Sequence, residues 1–322
     1  MKNSNKFIIT LIVLILIIFA GVMFGSSNLT ISDLGDNTIV NTIILKIRFP
    51  RVFLAFIVGG SLSISGLCIQ SLLKNPLASP YTLGISNGAG LSATIAIVLK
   101  LNFLGIYTTQ IIAFLGALIT IYFIIKFVSL IDNNLGNETI VLTGMILSLL
   151  LGALISLIML LNLENSKQIL LFLSGSIAMK GWQDIILILP FFIICSIYLF
   201  IRSKQLDILS FGEDDAHSLG VNVKKLKNEI MILTSLLTAC AVSICGVIGF
   251  VGLVVPHICR KVFGSNHVIT IPLSIMIGGG FLIATDLLAR TIAPPIELPV
   301  GAITALIGAP FFAIIFIMRR KK

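Results

Sequence analysis

Charged residues are scarce in this sequence, and their scarcity excludes a soluble globular protein. Only 11% of the 322 residues are charged, whereas 57% are hydrophobic, and the mean hydropathy is +1.12. Soluble domains usually carry about a quarter charged residues. Most of the chain is therefore predicted to lie within a membrane, as a single transmembrane domain over residues 1–322.

The sequence also has little that could support catalysis. It contains no Gly-Lys-Ser or Gly-Lys-Thr and hence no P-loop. Its three histidines, His217, His257 and His267, share no metal-ligand spacing. We therefore expect no metal site, no cofactor bound by this chain and no chemical step within it, so that energy must come from an ion gradient or from a partner.

The five cysteines form no Cys-x-x-Cys pair and fall in or beside apolar segments. Cysteine in such positions behaves as a small buried hydrophobe. We predict that all five are structural, and they indicate no redox compartment.

Ionisable residues are rare inside the apolar segments, and Asp286 is the main one. It stands four residues before Arg290, the favourable order for an acid–base pair on a helix. We interpret the two as an orienting pair, with a proton relay as the alternative. An ion-coupled carrier usually needs ionisable groups inside its spans, so this scarcity disfavours one.

About ten segments are long and apolar enough to be transmembrane helices. The first resembles a signal peptide, but no small-x-small cleavage site follows it, and a retained helix is predicted. The predicted all-α spans are 7–25, 52–72, 84–100, 109–131, 139–162, 183–201, 229–248, 250–263, 270–290 and 303–318.

The distribution of basic residues predicts the orientation of these spans. If the N-terminus is cytoplasmic and ten spans alternate, 15 of the 22 lysines and arginines face the cytoplasm and 7 face outside. The positive-inside rule then places both termini in the cytoplasm. Because this rule explains the basic balance, nucleic acid is not expected as a partner.

One long polar segment, 202–229, interrupts the apolar pattern and falls on the cytoplasmic side. It holds 10 of the 35 charged residues. Three acids beginning at Glu213 suit a first helical turn, Gly220 suits a helix stop, and Asn222 suits the cap of a second helix. The segment is predicted to form a compact knob that a cytoplasmic motor contacts, with a solvated loop as the alternative. Its lysines are interpreted as ordinary membrane-surface anchors.

Glycine and proline punctuate the spans. Glycines in apolar runs predict close helix packing. Proline and glycine are predicted to interrupt the helical backbone in three segments, 74–80, 249–257 and 294–301. A membrane tolerates non-helical backbone only where protein surrounds it or it lines a cavity. Broken segments in both halves are typical of many transporters, although the halves share no alignable run.

Taken together, the motifs resemble the permease subunits of bacterial ABC importers for iron–siderophores, haem and vitamin B12. The resemblance covers essentially the whole chain. It rests on RFPR at 48–51, Ser65-Gly66 with Gln70, NPLA at 75–78, LGISNGA at 83–89, the 212–220 segment, GFVGLVVPH at 249–257, DLLAR at 286–290, ELPVG at 297–301 and GAPF at 308–311.

This resemblance implies a ten-span type II importer fold, two permease copies, two ATPases that bind ATP and magnesium, and an extracytoplasmic substrate-binding protein. It implies a bacterial cytoplasmic membrane and a ferric siderophore or related metal chelate as substrate, with haem or cobalamin as alternatives. An ion-coupled transporter without an ATPase is the alternative from another class. Whether the second copy is identical stays open.

The resemblance also assigns residues. ATPase coupling falls on Gly212, Glu213, Ala216, Leu219 and Gly220. Docking of the binding protein falls on Arg48, Arg51 and Arg290, which from the sequence alone read as membrane-edge anchors. The gate or pathway falls on Asn75, Leu77, Asn137, Glu138, Thr143 and Thr304, with Ser148 and Ala305 as further lining candidates.

Overall fold

The computed structural model describes residues 3–25, 41–132 and 135–320, and these residues form a helical bundle. A π-helix, Asn41–Arg48, leads directly into the second α-helix. The α-helices are α1 (Asn3–Met23), α2 (Phe49–Leu72), α3 (Ile85–Val98), α4 (Thr108–Ile131), α5 (Asn137–Leu161), α6 (Ser166–Ser174), α7 (Trp182–Ile201), α8 (Ser203–Phe211), α9 (Glu213–Ser218), α10 (Val223–Cys245), α11 (Val251–Phe263), α12 (His267–Thr291) and α13 (Val300–Arg320).

The predicted all-α membrane architecture is confirmed. Each of the ten predicted spans coincides with a helix, and seven helices are long and apolar enough to cross a membrane. Helices α3 and α11 have 14 and 13 residues, so a count of ten full spans is approximate. Helices α6 and α8, which were not predicted, have nine residues each, shorter than a hydropathy window detects.

Helix α2 is the centre of the bundle, and 89% of its most apolar window is buried. Its glycines allow backbone-to-backbone contact with two other helices. A Cβ on Gly59 would lie 2.3 Å from the carbonyl oxygen of Gly278 in α12, and one on Gly66 would lie 1.9 Å from that of Gly252 in α11. The predicted close packing through small residues is therefore confirmed.

The chain breaks between α10 and α11, inside the bundle. Gly246 ends α10 at φ +73°, and Phe250 precedes α11 at φ +66°. The freed backbone groups find partners in the 172–176 segment, since Ser176 donates its N–H to the carbonyl of Cys245 at 2.7 Å and Val247 to that of Phe172. Irregular backbone is thus enclosed by protein here, as predicted.

The bundle has two distinguishable ends. Helices α2 and α12 pair along their length, with the Ser63 and Ser274 hydroxyls 2.7 Å apart. At one end Ser71 contacts His267, beside α8 and α9, and we call this the insert end. At the other, the arginine end, Arg51 contacts Asp286. All five cysteines are buried and free of disulfides, as predicted.

Candidate functional site

The polar insert folds as the capping residues predict. Helix α8 ends at Phe211, α9 spans Glu213–Ser218, and Gly220 turns the chain at φ +79°. The side chain of Asn222 then accepts a hydrogen bond of 2.9 Å from the backbone N–H of Lys225 and caps α10. The helix, the glycine stop and the cap are confirmed, and the solvated-loop alternative is wrong.

The residues assigned to ATPase coupling do not all face the same way. Leu219 is 68% exposed at the tip of the insert, whereas Ala216 is fully buried and serves to seat α9 on the bundle. Phe211, which was not predicted, is 79% exposed beside them. An aromatic residue inside a polar segment was the available signal for it. The exposed part of the insert is therefore two large apolar side chains with acidic neighbours.

Lys227 ties the insert to a distant segment. Its side chain is fully buried in α10, and its ammonium group donates to Glu213 Oε1 and to the backbone carbonyl of Leu135, both at 2.8 Å. The interpretation of this lysine as a membrane-surface anchor is wrong. A long cationic side chain near a helix end usually extends so that its charged group is in water. Here the carboxylate of Glu213 and the carbonyl of Leu135 take the place of water around the ammonium group.

Two further polar ties hold the insert on the bundle. Asp207 of α8 accepts a hydrogen bond of 2.9 Å from the backbone N–H of His267. On the imidazole ring of His267, Nε2 lies 2.6 Å from the hydroxyl of Ser71. Arg202 pairs with Glu229 at 2.9 Å. Its hydrogen bond to the Tyr198 hydroxyl, followed by the charge of Glu229, raises the pKa of the Arg202 guanidinium.

The structure brings the two predicted gate segments together. Asn75, Asn137 and Glu138 line one cavity of about 230 Å³, which Leu142 and Met145 also border. Asn75 forms a tight turn by accepting the N–H of Leu77 at 2.9 Å, and Leu77 is 49% exposed. Their gating role stays a prediction, but Asn75 of the turn and Asn137 and Glu138 of α5 lie around the same cavity, whereas Leu77 does not line it.

The lining residues predicted further along α5 and α13 fit less well. Thr143 is 8% exposed and Thr304 is fully buried, with its hydroxyl on the carbonyl of Gly301. Both side chains are buried in this chain, and this burial gives no support to a lining role. Ser148 and Ala305 are partly exposed.

At the arginine end, Arg51 is held by two carboxylates of its own chain. It donates from Nε and Nη2 to Asp286, at 3.0 and 2.8 Å, and from Nη1 to Glu297 at 3.0 Å. Arg290 approaches the same Asp286 at 3.4 Å, so the predicted helical pair is present. Nothing in the sequence indicated that Asp286, which is 1% exposed, also binds Arg51, a residue 235 positions away.

The three arginines assigned to docking are thus buried in this chain, at 4% for Arg48, 8% for Arg51 and 2% for Arg290. Arg48 and Arg290 also donate to carbonyls at the end of α1, on Val22 and Gly21. These contacts make a rigid cap over α1, α2 and α12. Docking of a binding protein stays a prediction for them.

Other motifs acquire no chemistry. In the described parts of the chain, no group of three His, Cys, Asp or Glu residues could hold a metal ion. The segment Gly84–Gly88 spells Gly-x-Ser-x-Gly, the pattern of a hydrolase nucleophile. Here it opens the membrane helix α3, and Ser86 is buried at 3%.

Comparison with known proteins places the whole chain in one group. Residues 12–319 match the FecCD transport family. The chain is 46% identical to an ABC transporter permease protein, YvrB, of Bacillus subtilis over 89% of this chain and 82% of the relative. It is 38% identical to the cobalamin import system permease protein BtuC of Halobacterium salinarum over 87% and 74% of the two chains. A solved metal-chelate type ABC transporter in an inward-facing conformation superposes with a TM-score of 0.87 at 30% identity, covering 98% of this chain and 99% of that one.

Proposed function

Because the chain belongs to the FecCD transport family, we propose that it is the membrane-spanning permease subunit of an ABC importer for a metal chelate. The observation that carries this function is the insert: a helix, a glycine and a second helix stand at one end of a polytopic bundle and are tied into it by buried polar contacts. A permease that uses a separate motor needs such a contact. The chain is a transport subunit, and ATP and magnesium belong to its partners.

The insert end is the cytoplasmic end in this proposal. The excess of basic residues that the ten-span arrangement puts on this side supports it. Both chain termini then lie in the cytoplasm of a bacterium, and the arginine end faces the extracytoplasmic side. There a substrate-binding protein would dock near the cap built on Arg48, Arg51 and Arg290.

The segment Gly212–Gly220 is the part of this chain that the ATPase subunits would move. Two ATPase subunits closing on ATP would push against the exposed Leu219 and the acids of α9, with Phe211 as an additional apolar contact. Burial of large apolar side chains at such a contact supplies affinity, about 1.5–3 kcal/mol for each that is fully buried. Ala216 holds α9 to the bundle, so a push on the tip is transmitted to the bundle.

A second permease copy, identical or related, would complete the pathway. Only 11% of the most apolar window of α5 is buried within this chain. Its exposed side includes Leu142, Met145 and Leu149. Together with the cavity that Asn75, Asn137 and Glu138 line, this makes the start of α5 the region where two copies would form and gate the passage.

The substrate proposed is a ferric siderophore or a related chelate, with haem or cobalamin as alternatives. The test reconstitutes the chain in liposomes, alone and with an ATPase pair and a loaded binding protein, and follows uptake of radiolabelled ferric hydroxamate, haem and cobalamin in parallel. We expect uptake only with ATP and all partners. Gradient-driven uptake by the chain alone would favour the ion-coupled alternative, which the structure does not favour, because Asp286 is already paired with two arginines.

A further inference from the structure

The buried ammonium group of Lys227 connects the insert to the start of α5. It lies between Glu213, the first residue of α9, and Leu135, two residues before α5 begins. Lys227 is 0% exposed, whereas Lys224 and Lys225 on the same helix are exposed. Of these three lysines, one has been taken out of water to bridge two segments that are 78 positions apart.

The chemistry of this bridge is specific. An ammonium group is a compact cation with three donors on a flexible stem, and it loses its hydration when buried. That loss is offset only while both the carboxylate and the carbonyl remain in place. Lys227 therefore resists any separation of Glu213 from Leu135, because either segment moving alone would leave a buried charge with one partner fewer.

Leu135, on the other side of the bridge, is buried in a constrained turn. It is 1% exposed and adopts φ +53°, a left-handed conformation that is unfavourable for leucine. The next residue, Gly136, donates its N–H to the carboxylate of Asp132 at 2.8 Å. Asn137 and Glu138 follow at once and line the 230 Å³ cavity with Asn75. A displacement of the Leu135 carbonyl is thus a displacement of the cavity wall.

We propose that Lys227 is a positioning residue that transmits movement of the α9 insert to the 135–138 segment at the gate cavity. The inference deepens the proposed function and rests on it, since the movement comes from partner ATPases. A displacement of α9 is passed on as a displacement of the Leu135 carbonyl. Glu213 moves with α9, the ammonium group follows its carboxylate, and the Leu135 carbonyl follows the ammonium group.

The test uses the assembled complex of this chain with its ATPases and binding protein, and needs no knowledge of the chelate. An environment-sensitive bimane label is placed either at Ser218→Cys on α9 or at Leu142→Cys on the cavity wall; Ser218 and Leu142 are both exposed. The probe is Mg-ATP with vanadate. In the otherwise wild-type complex, we expect the emission of both labels to change on its addition.

Lys227→Met fills a similar volume and binds neither partner. We expect it to keep the change at position 218 and to reduce the change at position 142 by at least about fivefold, because neither partner of the bridge is then held. Lys227→Arg should restore part of the change at 142. Lys225→Met is the matched control, because it removes the same charge from an exposed site of the same helix, and both changes should persist in it.

An assembled Lys227→Met complex with the full change at 142 would overturn the inference. Should Lys227→Met fail to assemble, Glu213→Ala gives the second measurement, since it removes the carboxylate that accepts from Lys227 at a side chain that is 40% exposed; an undiminished change at 142 there overturns the inference as well. If the otherwise wild-type complex shows no change at 218, the proposed function itself fails, and the inference falls with it.

Discussion

The contact between Gly66 of α2 and Gly252 of α11 makes a sharp prediction about stability. A Cβ on Gly66 would stand 1.9 Å from the Gly252 carbonyl oxygen and 2.5 Å from its carbon, against a practical minimum of 3.0 Å. Both obstacles are backbone, so no side chain can rotate away. The same carbonyl accepts the Gln70 amide at 3.0 Å, so displacing α11 also breaks that hydrogen bond.

We expect Gly66→Ala to lower the free energy of unfolding by about 2 kcal/mol. Overpacking a tight interior lowers the free energy of unfolding by about 1–3 kcal/mol, and we take about 3 kcal/mol here because the obstacle is backbone. Alanine is a better helix former than glycine, which raises the free energy of unfolding by about 1 kcal/mol and offsets part of that loss. The measurement is SDS-induced unfolding of the purified chain in mixed micelles, followed by loss of helix-packing fluorescence from Trp182.

Two neighbouring glycines serve as controls in the same assay. A Cβ on Gly252 would lie 2.8 Å from the Leu62 carbonyl, and one on Gly249 would meet nothing within 4 Å. Gly252→Ala should therefore cost no more than about 1 kcal/mol and Gly249→Ala about 0.5 or less. An unfolding midpoint for Gly66→Ala equal to that of Gly249→Ala would refute the backbone-contact reasoning.

Three further predictions concern polar contacts and thiols. Arg51→Met should destabilise the chain by about 3–5 kcal/mol in the same unfolding assay, because it leaves Asp286 buried without its nearest cation. Glu297→Gln is the control and should cost about 1 kcal/mol or less, because the Glu297 side chain is 29% exposed. Equal losses of stability in the two variants would contradict this reasoning. Asn222→Ala should cost about 1 kcal/mol and speed hydrogen exchange in the first turn of α10, and unchanged exchange there would show that the cap is unimportant. The five buried cysteines should stay unlabelled by a membrane-impermeant maleimide over a time that fully labels an added Lys225→Cys, and native labelling of any of them would mean that the bundle opens.

Much of the fold was predictable because its signals are local. Apolar runs of about 20 residues located the spans, and the acids from Glu213, the stop at Gly220 and the cap at Asn222 described the insert residue by residue. Such signals lie within a few positions of the structure that they specify.

The contacts between distant segments were not predictable in this way. Lys227 looked like an anchor because a lysine beside a span usually is one, and nothing near it in sequence indicates Leu135, 92 positions away. The sharing of Asp286 between Arg51 and Arg290 was hidden for the same reason, and so was the inward direction of Thr143. A single sequence carries the period of a helix, but not which faces of two remote helices meet.

The distribution of these contacts indicates where the subunit can move. Helix α2 is held at the arginine end by the Arg51 network and along its length by glycine contacts with α11 and α12, so these three helices behave as one block. Helix α5 is held more sparsely, by contacts such as the Asn87 amide on the Ser148 carbonyl at 2.9 Å and the packing of Gly144 on Leu83. Its first turn adjoins the Leu135 carbonyl, which Lys227 holds. A helix moves most easily where its packing is weakest, and a strong polar contact at that place ties its movement to the group that it contacts. The start of α5 meets both conditions, so in the proposed function a gate there is expected to respond to the insert while the α2 block stays still.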